Sequence, residues 1–144
     1  MMDETQRLMI EAACRRLVLQ AAAHTDANRP AELAALFTDD AVLSRPNAAP
    51  LHGPAAIRDA YAGRPADRIS RHLVTGTLVE PLSADAARAT SMVLVWFGSS
   101  DDAPGPKGRP VRGEQAVGEF DDHFVRTAAG WRIARREARF VLHT

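Results

Sequence analysis

The sequence has 144 residues, a length typical of one compact domain, and we expect a single domain over residues 1–144. Hydrophobic residues make up 46% and charged residues 25% of the chain, which is ordinary globular composition and excludes disorder. The 18 Lys and Arg residues balance the 18 Asp and Glu residues, so no positive field favours polyanions. Nucleic acid and membrane surfaces are therefore not expected as partners.

The cysteine content and the N-terminal segment both suit a cytoplasmic protein. Cys14 is the only cysteine, which excludes an intramolecular disulfide and a cysteine-cluster metal site. Residues 1–7 contain Asp3 and Glu4 and lack the pattern of a signal peptide. No apolar run reaches the ~20 residues needed to span a bilayer. We expect cytoplasmic localisation.

The first part of the chain carries helical patterns. Apolar side chains recur at helical spacing over residues 5–24 and predict an amphipathic helix. Pro30 suits a first helical position, and a short second helix is predicted from there to Phe37. After a short strand over residues 41–44 and a proline-containing loop, Gly53 begins a third predicted helix.

The rest of the chain has the composition of β-structure. Segments rich in β-branched and aromatic residues predict four long strands, over residues 69–82, 87–97, 111–127 and 131–143. Short turns between the members of each pair favour antiparallel neighbours. Residues 98–110 contain three prolines and three glycines and predict a loop, either a solvated hairpin tip or a lid over a pocket. Helices followed by strands indicate an α+β fold, with helices on one face of an antiparallel sheet.

Three local patterns add to this order of elements. Residues 24–42, HTDANRPAELAALFTDDAV, place an aspartate before a short linker, a helix ending in LF and a strand beginning at DDAV. Residues 53–57 (GPAAI) and 130–133 (GWRI) are the other two patterns. Over roughly residues 10–141 the chain resembles the SnoaL-like family of the nuclear-transport-factor-2-like superfamily. The resemblance implies a curved antiparallel sheet wrapped around N-terminal helices, a cone-shaped α+β barrel with an internal pocket.

The same resemblance implies a catalytic pair. In dehydrochlorinase-like and dehydratase-like members, a histidine at the head of the first long strand is paired with an aspartate just after the first helix. His72 and Asp26 hold these places. Strand alternation puts His72 on one face with Val74, Gly76 and Leu78, which we expect to point inward. An imidazole, with an ordinary pKa of ~6.5, can act as a base at neutral pH, and a carboxylate would orient it.

Structural roles remain open for both residues of this pair. His72 is alternatively a hydrogen-bonded core histidine, and Asp26 a residue that bonds to the backbone of a turn. Two other positions differ from the family pattern, because Gly76 replaces a frequent asparagine and Ala21 a frequent tyrosine. The missing phenol favours binding without catalysis.

Aromatic side chains are candidates for ligand contacts as well as for core packing. Those predicted to line the pocket are Phe37, Tyr61, Trp96 and Phe120. The sequence has no glycine-rich phosphate loop, serine nucleophile elbow or histidine-rich metal spacing. We therefore expect no metal ion and no other cofactor.

Two polar clusters fall in the last two strands. Asp121, Asp122 and His123 are adjacent, so they must alternate between faces and cannot act as one ligand set. At least one carboxylate is expected to face inward or towards a dimer partner. The arginines at 135, 136 and 139 are expected on a solvated or interface face.

These patterns predict a protein that binds a small hydrophobic molecule. The first hypothesis is a cofactor-independent lyase or isomerase in which His72 removes a proton and Asp26 orients the imidazole. The second is a non-catalytic binding protein for a small ligand. The third is an associative subunit without chemistry, akin to the small subunits of ring-hydroxylating dioxygenases. Residues 92–97 are apolar on both faces of their strand, which predicts a homodimer through the open face of the sheet.

Overall fold

A computed structural model describes all of residues 1–144. Three helices and six strands follow one another as α1 (Glu4–Asp26), α2 (Pro30–Ala34), β1 (Phe37–Ser44), β2 (Leu51–His52), α3 (Gly53–Ala62), β3 (Arg68–Pro81), β4 (Ala86–Ser99), β5 (Ala116–Thr127) and β6 (Gly130–His143). The strands form one curved sheet in the order β2-β1-β6-β5-β4-β3. The α+β fold class is confirmed, and the sheet stays open between its edge strands β2 and β3.

Helix α1 has a defined start and a defined end. Asp3 caps its N-terminus in a capping box with Gln6. Its last turn extends to Asp26, two residues beyond the predicted end, and Asn28 follows at a left-handed φ of 55° that stops the helix. The buried stripe of α1 packs against the inner face of the sheet, mainly on β3, and consists of Ile10, Cys14, Leu17, Val18, Ala21 and Ala22. We call the opposite side of the sheet its outer face.

Strand β1 begins earlier than the sequence predicts. Phe37, predicted at the end of the second helix, is the first residue of β1, pairs with Ile133 of β6 and is only 4% exposed. Burial in the sheet therefore overrides the local helical spacing. The β1–β6 pair is parallel, whereas the sequence predicts an antiparallel sheet throughout. Residues 45–129 connect these two strands, so no short hairpin constrains their direction.

A β-bulge at Thr75 divides β3 into two halves with opposite alternation. Val74 pairs with Val93 and Gly76 with Met92, which leaves Thr75 as the extra residue. His72 and Val74 lie on the inner face, but Leu78 beyond the bulge is 82% exposed. The prediction that Gly76 and Leu78 share a face with His72 was wrong, because one inserted residue reverses the alternation.

The segment between β4 and β5 is longer than predicted. Strand β5 begins at Ala116 rather than at residue 111, and Gly113 adopts a left-handed φ of 72° within the loop. Two hydrogen bonds of 2.7 Å from Arg112 to Asp102 hold the loop together. None of the helices has the length and apolar character required to cross a membrane.

Burial makes Cys14 inert. Its side chain is 0% exposed, and burial, followed by the nearby charge of Asp122, raises the pKa of the thiol to about 12. Because the thiolate is the reactive form, we expect no reaction of the folded protein with a disulfide reagent such as DTNB at pH 8. One thiol per chain should react after unfolding in guanidinium chloride. Stoichiometric labelling of the folded protein would contradict this burial.

Candidate functional site

A cavity of about 270 Å³ lies between the helices and the inner face of the sheet. Four of the six predicted catalytic and ligand-binding residues line it, namely Phe37, Tyr61, His72 and Phe120. Trp96, which was also predicted to contact a ligand, does not line this cavity. Alternation along β4 turns Val93, Val95 and Phe97 towards the cavity and leaves Trp96 on the outer face, where it is 37% exposed.

His72 and Asp26 meet at the wall of this cavity. The Nδ1 atom of His72 lies 2.6 Å from Oδ1 of Asp26, and the backbone N–H of His72 donates to Oδ2 at 2.8 Å. Both side chains are largely buried, with exposed fractions of 19% for His72 and 14% for Asp26. The contact arises because the buried stripe of α1 docks on β3 and brings the end of the helix to this strand.

Two further side chains support the Asp26 carboxylate. Ser70, on the same face of β3 as His72, donates its hydroxyl to Oδ1 at 2.9 Å. Arg64 donates from Nη2 to Ser70 Oγ at 3.1 Å and from Nη1 to the Thr25 carbonyl at 3.3 Å. The guanidinium thus occupies one lone pair of Ser70 and shares the Thr25 carbonyl at the end of α1 with the backbone N–H of Asn28. The Asp26 carboxylate thus accepts hydrogen bonds from both His72 and Ser70.

The hydrogen bonds around Asp26 favour its ionised form. Burial opposes ionisation, but bonds from the side chain and backbone of His72, the charge of His72 and the Ser70 hydroxyl together lower the pKa below its ordinary value of 3.8. An ionised carboxylate only accepts hydrogen bonds, so Nδ1 of His72 carries a proton. In the neutral imidazole, Nε2 therefore has a free lone pair, which can accept a proton.

Arg136 lines the cavity as one half of a buried ion pair. Asp122 is 1% exposed and accepts two hydrogen bonds, at 2.7 Å and 2.9 Å, from Nε and Nη2 of Arg136. The guanidinium carbon of Arg136 also lies 4.2 Å from the ring centre of Phe120. The predicted solvated or interface position of Arg136 was wrong, because Asp122 pairs with it inside.

The pairing of Asp122 with Arg136 was not predicted from the sequence, although the short turn between β5 and β6 gives an approximate register. Counting back from the turn between β5 and β6 places Asp122 opposite Arg135, one position away from the observed partner. A register shift between His123 and Phe124 moves Arg136 into the place opposite Asp122. Asp121 points to the outer face, where Arg139 bonds to it. Nowhere does the structure gather three His, Cys, Asp or Glu side chains in an arrangement that could hold a metal ion.

Comparison with known proteins agrees with this architecture. Residues 6–137 match the family described as the SnoaL-like domain. The chain belongs to the SnoaL-like family. None of the curated proteins matches this SnoaL-like chain at a significant level.

Solved structures with the same SnoaL-like fold cover nearly the whole chain. A scytalone-dehydratase-like protein from Novosphingobium aromaticivorans is 26% identical, with a TM-score of 0.79 over 95% of this chain and 87% of that one. The hexachlorocyclohexane dehydrochlorinase LinA-type3 from Novosphingobium barchaimii is 19% identical, with a TM-score of 0.82 over 99% and 93%. ActVI-ORFA from Streptomyces coelicolor is 22% identical, with a TM-score of 0.73 over 91% and 96%. The last two likenesses concern the fold alone.

The lowered pKa of Asp26 makes stability depend on pH. A group whose pKa is lower in the folded state stabilises it above the unfolded pKa, and this contribution disappears as pH falls through the folded pKa. We expect Asp26→Asn to lower the free energy of unfolding at pH 7 by about 1–3 kcal/mol, because charge-assisted hydrogen bonds are lost. The difference from the unmodified protein should shrink below pH 4. Urea unfolding at a series of pH values measures it.

The matched control for this experiment is Asp59→Asn, because the side chain of Asp59 is 73% exposed. It should leave the free energy of unfolding within about 0.5 kcal/mol of the unmodified protein. A difference between Asp26→Asn and the unmodified protein that stays constant from pH 7 to pH 3 would refute the ionised carboxylate.

Proposed function

We propose that this protein is a cofactor-independent lyase or isomerase acting on a small, largely hydrophobic molecule bound in the cavity. The observation that carries the proposal is the hydrogen bond between His72 Nδ1 and Asp26, at a cavity wall that His72 itself lines. This contact leaves Nε2 as the proton acceptor. A positioned imidazole in a mostly apolar cavity is suited to general base catalysis.

In the proposed step, Nε2 of His72 takes a proton from a carbon of the ligand. The C–H electrons form a double bond as a leaving group departs from the adjacent carbon, or they move along a conjugated system in an isomerisation. Asp26 stays ionised and stabilises the imidazolium that forms. Arg136, with three N–H groups not used by Asp122, supplies positive charge for the developing anion.

The relatives favour elimination as the first reaction to test. A dehydratase-like protein and a dehydrochlorinase are among the solved structures with this fold. Both names describe loss of a small leaving group. Cyclisation and double-bond shift use the same base and stay within the proposed class.

Mass spectrometry of small molecules released from the purified protein identifies the compound to assay. We expect His72→Ala to lower kcat/KM for that compound by about 10²–10⁴-fold, because the general base is lost. Steady-state kinetics on the unmodified protein and the variant measure this effect.

A second histidine provides the control for this test. His123→Ala removes an exposed imidazole from the outer face and should keep full activity. Unchanged kcat/KM in His72→Ala would exclude His72 as the base.

A non-catalytic binding protein is the second candidate. Ala21 lines the cavity at the position where the family resemblance implies a tyrosine, so that wall has no phenol to act as an acid. Under this alternative, the released compound binds again but is not converted, and His72→Ala changes only its affinity.

We also propose a homodimer through the outer face. A row of apolar side chains crosses four paired strands there, which we call the outer apolar row; it consists of Leu73, Leu94, Val117 and Leu142. Leu73 is 49% and Leu142 is 64% exposed, and Met92 and Trp96 lie beside the row. A continuous apolar surface of this kind suits a self-complementary interface.

Light scattering tests the dimer. At micromolar concentration, we expect twice the chain mass of 15.6 kDa for the unmodified protein and one chain mass for Leu73→Glu, because a charge would be buried in the interface. Leu8→Glu is the control, since Leu8 is 56% exposed but lies on α1. A monomer mass for the unmodified protein would contradict the proposal.

A further inference from the structure

The cavity has a basic wall, of which the proposed proton transfer uses only Arg136. Five arginines border it and no aspartate or glutamate does; they are Arg45, Arg64, Arg68, Arg136 and Arg139, the last with its guanidinium bonded to Asp121 and Glu119 on the outer face. Three of them have partners. Asp122 pairs with Arg136, outer-face acids pair with Arg139, and Ser70 and the Thr25 carbonyl bind Arg64. Arg45 and Arg68 form no salt bridge and no side-chain hydrogen bond.

Aromatic stacking holds the two unpaired guanidinium groups in place. The guanidinium carbon of Arg45 lies 5.5 Å from the ring centre of Tyr61, and that of Arg68 lies 5.2 Å from the ring centre of Phe97. Stacking on a ring leaves the N–H groups at the edge of the guanidinium free for an acceptor. Both arginines are therefore positioned without being neutralised.

Arg45 has a buried donor without an acceptor. Its Nε atom is shielded from solvent and has no hydrogen-bond partner. Buried N–H groups are nearly always paired, because an unpaired one loses its hydration without compensation. Since this side chain lines the cavity, a ligand bound there can supply the missing acceptor.

Like charges accumulate on this wall. Burial comes first in lowering the pKa of Arg64, and the neighbouring positive charge of Arg68 comes second. A bound anion would relieve this repulsion. A carboxylate matches the planar fork of a guanidinium, and its two oxygens accept parallel N–H bonds.

We propose that Arg45 and Arg68 form an anion subsite that binds a carboxylate of the ligand, so the substrate is an amphipathic acid and not a purely hydrophobic molecule. Arg68 and His72 are four residues apart on β3, so their Cα atoms lie roughly 13 Å from each other. The subsite would hold the carboxylate at one end of the ligand and present carbon atoms nearer the other end to His72. The orientation of the substrate towards His72 rests on the proposed function. The binding of an anion rests on the cavity alone.

Isothermal titration calorimetry with two isosteric probes, naphthalene-2-carboxylate and naphthalene-2-carboxamide, tests the subsite. We expect the unmodified protein to bind the carboxylate at least tenfold more tightly than the amide, with a preference that decreases as salt increases. Arg45→Met and Arg68→Met should each weaken carboxylate binding about tenfold and leave amide binding unchanged. Equal affinity for the two probes, or binding of neither, would overturn the proposal.

Two control variants separate this inference from a folding defect and from the proposed chemistry. Arg58→Met removes an exposed arginine of α3 that pairs with Asp59, and it should keep the carboxylate preference. Arg45→Lys should retain part of the preference, because it keeps the charge but loses the fork. His72→Ala should keep the preference even though turnover is lost, so failed catalysis and a missing anion subsite give different results.

Discussion

The carboxylate of Asp26 joins the end of α1 to β3. It accepts hydrogen bonds from the backbone and side chain of His72 and from Ser70. Through Ser70 it is also connected to Arg64, which binds a carbonyl of the last turn of α1. This junction fixes the wall of the cavity and the orientation of the imidazole together. A change that loosened the helix end would therefore disturb the shape of the cavity and the direction of Nε2 at once.

Much of the fold could be predicted, because its signals are local. The helical stripe ending near Asp26, the four β-rich segments and the inward direction of His72 all follow from the spacing of neighbouring residues. The contact between Asp26 and His72 was expected from the family resemblance and from the burial of the α1 stripe against the sheet. The aromatic residues Phe37, Tyr61 and Phe120 were predicted to line a pocket, and the cavity borders on each of them.

The remaining features depend on pairing between distant segments. A bulge at Thr75 reverses the exposure of Leu78, and a second register shift decides that Arg136 faces Asp122. Neither irregularity leaves a mark in the amino-acid composition of its strand. A prediction from simple alternation therefore assigns the residues beyond each irregularity to the wrong face or the wrong partner. The prediction that Trp96 lines the pocket failed for a different reason. The outer face of this sheet is also apolar, so a large aromatic residue suits either face.

The position of β6 has a consequence for how the protein is made. This strand lies between β1 and β5, so the last long segment of the sequence occupies the interior of the sheet rather than its edge. It also carries Arg136, which closes the cavity wall. During synthesis, β1 pairs early only with the short strand β2, and its long partner β6 lies more than ninety residues further along the chain. Pairing over such a distance slows folding and leaves apolar strands exposed, so we expect the nascent chain to be most prone to aggregation before residues 130–143 are available.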